Sequence, residues 1–330
     1  MYTADENRYD GRMPIRRAGN KGLQLPAVSF GMWHSFGDEA NYKDSEEVIL
    51  KAFDSGIFSY DLAYNYGPGS GAAERLFGQI YQANLKAHRD ELVITTKAGF
   101  HMWPGPYGEM SSRKTLINAL DNSLTRMGLD YVDIFYSHRF DPNTDPEETA
   151  VALDSIVRSG KALYVGISNY TNAQTKVILK TFKELHTPFV VNQLSYNMLN
   201  RGIEADGVLD TLKDNHLGMV AYGPLAEGLL TNKYLGGIPE DFQIHWSSTE
   251  VMDQGRQKLT QKLNQLNALA QNRNQTLAQM SLAWLLKDPV VVSVVTGASK
   301  VSHLEDNLQA VQNINFTPDE LAQIESILKA

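Results

Sequence analysis

The chain has 330 residues, 42% of them hydrophobic and 21% charged, a composition that supports a large buried core. Lys and Arg total 30 against 38 Asp and Glu, a formal charge of −8 with no basic block, which argues against nucleic acid as a partner. The absence of cysteine excludes disulfides, thiolate catalysis and cysteine-ligated metal.

The first residues are polar and partly acidic and lack the apolar core of a signal peptide. No stretch approaches transmembrane length. The expectation is a cytoplasmic protein of one domain, residues 1–330, with no membrane attachment. In chain order, residues 13–17 and 22–25 pair as an N-terminal hairpin. Residues 27–31 read as the first buried strand. Residues 44–55 have helical spacing, with Val48, Ile49, Ala52 and Phe53 on one face, and Gly56 stops them. A strand over 58–61, a loop over 64–71 and a helix over 72–82 follow. Next come strand 91–97, a Gly- and Pro-rich loop over 99–110 and helix 112–127. Strand 130–137 precedes a helix from Asp145-Pro146 to Arg158, with proline in its first turn. The alternation continues with strand 162–168, helix 172–185, strand 189–193, helix 207–215 and strand 218–222. A long irregular loop, 223–255, leads to helices 256–272 and 277–287, strand 290–295, helix 301–311 and a last helix opened by Thr317-Pro318.

Strict alternation predicts a parallel α/β sheet, and about eight units is the number at which such a sheet closes as a (β/α)8 TIM barrel. The alternative is a doubly wound open sheet, which binds ligands at one switch point. Here polar groups end nearly every strand: Asp61, Lys97, His138, Ser168-Asn169, Gln193, Tyr222 and the turn Thr296-Gly297-Ala298-Ser299. That distribution favours a barrel, with the N-terminal hairpin and extra C-terminal helices added to it. Gly67-Pro68-Gly69-Ser70-Gly71-Ala72 fits a dinucleotide fingerprint, and Asp90 lies at about the right distance. Asp90, however, precedes the next strand instead of ending it, so the stretch reads better as a tight βα loop.

Three successive strands deliver Asp61, Lys97 and His138, and Tyr66 follows Asp61 by five residues. Carbonyl reduction needs a proton on oxygen as hydride reaches carbon. Tyrosine, with a reference pKa of about 10, is a poor acid unless a cation stabilises its phenolate. A lysine supplies that charge, an aspartate keeps the lysine protonated, and a histidine orients the carbonyl. Each residue alone also has an ordinary reading: a turn cap, a loop aromatic, a snorkelling lysine, a backbone-bonded histidine.

With Gly31-Met32-Trp33, the stretch from Phe58 to Gly67, Ile94-Thr95-Thr96-Lys97, Gly128 to His138, Gly166-Ile167-Ser168-Asn169, Asn192-Gln193, the stretch from Gly223 to Leu230, and Gly297 to Asn307, the sequence resembles the aldo-keto reductases over nearly its whole length. Through the stretches Lys97 to Gly108 and Gly160 to Ser168 it looks most like the bacterial branch of L-glyceraldehyde 3-phosphate reductases, related to potassium-channel β-subunits. The resemblance implies NADPH as cofactor and Tyr66 as general acid, tuned by Lys97 and Asp61, with His138 orienting the carbonyl. It implies Ser168, Asn169 and Gln193 on the nicotinamide amide and Tyr222 stacked on its ring. The loop from Gly223, Pro224 and Leu225 through Glu227 to Leu229, with Lys233, would close over the pyrophosphate. Gly297, Ser299, Lys300, His303, Asp306 and Asn307 would hold the adenosine end. Trp33 would line the pocket beside the nicotinamide.

Family members often carry arginine or glutamine at His303, glutamate at Asp306 and, in the channel-related branch, arginine near Gln243. The missing cation leaves NADH open, with Lys300 as a partial replacement. A substrate wall of Trp33, Tyr66, Trp103 and His138 is expected. His34, His101 and Arg139 lie near strand ends, and Arg139 reads first as a partner of Asp133 or Asp141 and second as a phosphate contact. The function implied is reduction of small aldehydes such as L-glyceraldehyde 3-phosphate or methylglyoxal, in a homo-tetramer or homo-octamer. The alternatives are a nucleotide-binding regulatory subunit of a channel and a Schiff-base lyase acting through Lys97. No metal site is expected, because no His/Asp/Glu set shows ligand spacing.

Overall fold

The predicted barrel strands are short apolar runs, and most of the helices between them have one apolar stripe. Both bury together only when helices cover a sheet. The computed structural model, which describes residues 2–245 and 249–330, has that arrangement. An antiparallel hairpin of β1 (Ile15–Arg17) and β2 (Gln24–Pro26) comes first. Then follow β3 (Val28–Gly31), α1 (Tyr42–Asp54), β4 (Ser59–Asp61), α2 (Ala72–Ile80), β5 (Val93–Ala98), α3 (Arg113–Met127) and β6 (Val132–Ser137). The middle comprises α4 (Pro146–Arg158), β7 (Ala162–Ser168), α5 (Asn172–Leu185), β8 (Phe189–Ser195), α6 (Gly202–Asp206), α7 (Val208–Asp214) and β9 (Gly218–Tyr222). The chain closes with α8 (Arg256–Asn272), α9 (Leu277–Leu286), β10 (Val291–Thr296), α10 (Val301–Leu308) and α11 (Pro318–Lys329).

Strands β3 to β10 run parallel and form a closed barrel, with β10 paired to β3 on one side and β9 on the other. Closure removes the open-sheet alternative. The hairpin lies at the barrel's N-terminal end. Arg16 fixes it there by donating to Val291 O at 2.8 Å and Leu286 O at 2.6 Å. Several helix starts carry side-chain caps. Ser112 and Asp145 cap α3 and α4, and Thr171 with Gln174 and Thr317 with Glu320 form capping boxes on α5 and α11. Fully buried Phe30, Tyr60, Phe135, Tyr136 and Trp284 are among the core's largest side chains. Each such burial stabilises the fold by about 1.5–3 kcal/mol. Among the described residues no helix is long and apolar enough to cross a membrane.

Several boundaries differ from expectation. The strand expected from 91 begins at Val93, because Glu91 ends a 3-10 turn, Lys86–Glu91, and is held there by Arg8 and His88. The helix expected to reach 82 changes at Tyr81–Leu85 to a π-turn. Helix α6 was not expected; its five residues are too few to show a period, and Arg201 braces it through Glu204. Helix α10 tightens into a 3-10 turn, Gln309–Gln312. The irregular loop carries short 3-10 turns at Ala226–Gly228, Asn232–Tyr234 and Thr249–Met252, and its residues 246–248 lie outside the described residues. The glycine-rich stretch after β4 is a tight βα loop. Gly67 has φ +88°, and a Cβ there would meet Phe36 O at 2.7 Å.

Candidate active site

Lys97 sits near the end of β5 and is completely buried. An ammonium there is tolerable only if its donors are used. Its Nζ donates to Asp61 Oδ2 at 2.6 Å, to Leu62 O at 2.7 Å and to Tyr66 Oη at 3.4 Å. The β4–β5 register sets Asp61 opposite Thr95. Thr95 Oγ1 then donates to Asp61 Oδ1 at 2.9 Å, and Gln193 Nε2 reaches the same oxygen at 2.9 Å. Both carboxylate oxygens are therefore engaged inside the barrel mouth.

Burial pushes the Lys97 ammonium below its usual pKa, and the charge and hydrogen bond of Asp61 work against that. For Tyr66 the direction is opposite to the sequence expectation. Burial, then the Asp61 carboxylate, push the phenol well above its ordinary value. Desolvation of the phenolate is the leading cause, so Tyr66 holds its proton at neutral pH. His138 is 6% exposed, with its ring 5.9 Å from that of Tyr66. Burial, then the charges of Lys97 and Arg139, hold its pKa well below 6.5, so the imidazole is neutral. Its Nδ1 is buried without a hydrogen-bond partner among the described residues.

Ser168, Asn169 and Gln193 meet beside this group. Ser168 Oγ donates to Gln193 O at 2.9 Å, and Asn169 Nδ2 donates to His138 O at 3.0 Å. Asn169 takes a left-handed φ of 61° and accepts from Tyr222 Oη at 2.7 Å. A cleft of about 650 Å³ opens next to them. Trp33, Asp61, Tyr66, Tyr222, Gly223, Pro224, Leu225, Glu227, Gly297, Ser299 and His303 line it, as a cofactor groove would require. Ser168, Asn169, Gln193 and His138 are not part of that lining; Asn169 reaches it only through its bond to Tyr222. A dinucleotide fits the chemistry of the lining itself, with the Tyr222 ring at one end and the glycine-bearing turn of Gly297 and Ser299 at the other.

Other expected residues lie outside the lining. Trp103 packs on Tyr64 with ring centroids 5.3 Å apart. Lys233 is exposed, with Nζ 4.9 Å from the Tyr234 ring. Asp306 accepts from Gln279 Nε2 at 2.7 Å, and Asn307 Nδ2 donates to Thr296 Oγ1 at 3.2 Å. Lys300 is the N-cap of α10. Arg139 does form an ion pair, but with Glu109 at 2.7 Å, not with Asp133 or Asp141. Asp133 is taken by Arg89, and Asp141 accepts from Ser111 N and Thr144 Oγ1.

Two contributors escaped the sequence reading. Thr95 looks like any strand threonine until the register is known. His245 sits in the irregular loop, where no period marks it. It lines the cleft and contacts Glu227, with ring Nδ1 3.2 Å from Oε2 and backbone N donating to both oxygens at 3.0 Å. His34 also lines the cleft, its ring 3.7 Å from that of Trp33. Among the described residues no group of three or more His, Asp or Glu is placed to hold a metal ion.

A parallel barrel with a buried Lys–Asp pair touching a tyrosine hydroxyl at its mouth has the form of a barrel oxidoreductase. Residues 27–329 match the Aldo/keto reductase family, and the chain belongs to that family. It is 50% identical over 329 residues to the L-glyceraldehyde 3-phosphate reductase of Escherichia coli strain K12, covering 98% of this chain and 95% of that one. It is 32% identical over 327 residues to a probable voltage-gated potassium channel subunit beta of Arabidopsis thaliana, covering 96% and 97%. A putative subunit of the same kind from Schizosaccharomyces pombe is 33% identical over 338 residues, covering 99% and 97%.

Proposed function

We propose that the protein is an NADPH-dependent reductase of small aldehydes, of the L-glyceraldehyde 3-phosphate or methylglyoxal type. The observation that carries this reading is the buried chain of contacts from Asp61 through Lys97 Nζ to Tyr66 Oη. Bound nicotinamide would supply the hydride. Tyr66 gives its proton to the carbonyl oxygen as that oxygen gains charge. Lys97 then stabilises the phenolate left behind, and Asp61 keeps Lys97 protonated through the cycle. His138, as a neutral imidazole, donates a hydrogen bond that orients the carbonyl. Ser168, Asn169 and Gln193 would hold the carboxamide of a bound nicotinamide, Tyr222 would support its ring, and Trp33 would wall off water. Lys97 already makes two short hydrogen bonds at full burial, which supports a tuning role over that of a Schiff-base nucleophile. Lys300, at the N-terminus of α10, is the cation proposed to meet a 2′-phosphate, with NADH as the alternative cofactor.

The likeness to channel β-subunits supports a second reading, a nucleotide-binding regulatory subunit with negligible turnover. One assay separates the two: oxidation of NADPH and NADH with DL-glyceraldehyde 3-phosphate and with methylglyoxal, wild type beside Tyr66→Phe. Wild-type turnover that falls by orders of magnitude in the variant, with cofactor affinity kept, supports the reductase and its proton donor. Tight cofactor binding without turnover supports the regulatory subunit, and equal turnover in both proteins removes Tyr66 as the acid.

A further inference from the structure

A phosphorylated aldehyde presents a carbonyl and a dianion, and a site that prefers it must hold both. Among the described residues lining the cleft there is no lysine or arginine. Lys97 is committed to Asp61, Leu62 and Tyr66. The residue directly after His138, however, is Arg139. Its Nε donates to Gly99 O at 3.0 Å, and its guanidinium carbon lies 4.6 Å from the centre of the Phe100 ring. The same phenyl ring meets the His138 imidazole edge-on, 4.6 Å between centroids at 87°. One aromatic spacer thus separates the carbonyl-orienting histidine from a fixed guanidinium.

The free end of that guanidinium is held lightly. Nη2 donates to Glu109 Oε2 at 2.7 Å, and the Glu109 side chain is 50% exposed against 27% for Arg139. Ion pairs of this exposure are weak. A phosphoester dianion offers a planar guanidinium more charge and more acceptors than a carboxylate does.

We propose that Arg139 is the phosphate-reading residue of the substrate site, and that the phosphoester dianion of a small aldehyde displaces Glu109 from it. The proposal rests on the aldehyde-reductase reading and names the substrate class within it. The bond to Gly99 and the stack on Phe100 pre-set the fork, so little side-chain entropy is lost when the dianion arrives.

The test compares kcat/KM for glyceraldehyde 3-phosphate with that for unphosphorylated glyceraldehyde in wild type, Arg139→Met, Arg139→Lys and Glu109→Gln. Arg139→Met lowers the ratio by about 10- to 100-fold, the loss expected for a charge-assisted contact. Arg139→Lys recovers part of it, and Glu109→Gln raises it. Calorimetric titration of the NADP⁺-loaded protein with sn-glycerol 3-phosphate reads the same subsite without turnover. Binding weakens in Arg139→Met and tightens in Glu109→Gln. A ratio unchanged in Arg139→Met, or glycerol 3-phosphate that binds equally to wild type and Arg139→Met or to neither, overturns the proposal. If wild type reduces neither aldehyde, the reductase reading fails, and the titration alone decides the phosphate subsite.

Discussion

Gln193 donates its Nε2 to Asp61 Oδ1 at 2.9 Å, joining β8 to β4 across 132 residues of sequence. The two strands are not neighbours in the sheet; they meet because the barrel closes. Replacing Gln193 with leucine leaves that oxygen with Thr95 as its remaining donor. Urea unfolding should show a loss of about 1–3 kcal/mol, the cost of stripping a donor from a buried charge. Cofactor titration of the same variant should show weaker binding if the amide also holds the carboxamide.

The Lys97–Asp61 pair makes a sharper case. Lys97→Met leaves a carboxylate uncompensated inside the barrel and should cost about 3–5 kcal/mol of stability. Pairing it with Asp61→Leu should restore much of the stability while turnover stays lost. Stability restored together with turnover would mean that the pair serves packing alone.

Glu74 is fully buried on α2. It accepts from Thr96 Oγ1 at 2.6 Å and from Arg126 Nε at 2.8 Å. Arg126→Ala should therefore destabilise by about 3–5 kcal/mol, far more than an exposed pair would. Arg75, whose side chain is 42% exposed beside an Asp38 that is 56% exposed, supplies the control: Arg75→Ala should shift the unfolding midpoint only slightly.

His138 couples stability to pH. Its folded pKa is depressed by burial, then by Lys97 and Arg139, whereas the unfolded imidazole titrates near 6.5. Below that value the unfolded chain binds a proton that the folded site refuses. The contribution is therefore complete above the unfolded pKa and shrinks as pH falls through and below it. Unfolding free energies measured from neutral to acid pH should decline less steeply in His138→Asn. An identical acid limb in both proteins would mean that the imidazole titrates freely in the fold.

The barrel was legible because its strands are β-branched runs of ordinary length and its helices carry Ser, Thr, Asp and Pro where helices begin. Asp61 and Lys97 were legible for a related reason: a charge that ends a buried run needs a partner, and the neighbouring strand end supplies one. Contacts set by register or by loops were not legible. Thr95 reaches Asp61 only through the β4–β5 pairing, and Arg139 finds Glu109 in a Gly- and Pro-rich loop without a period. The direction of the Tyr66 shift was misread for a physical reason. Charge pairing can be guessed from sequence, but the depth of burial cannot.

The hairpin at the barrel's N-terminal end carries a consequence for how the protein is made. Arg16 is bonded to Val291, a residue translated 275 positions later, and β3 receives its second neighbour only when β10 arrives. During synthesis the first barrel strand therefore waits with one edge unpaired until nearly the whole chain has left the ribosome. Nascent chains shorter than β10 present that edge to one another, so premature termination yields self-associating fragments instead of smaller barrels.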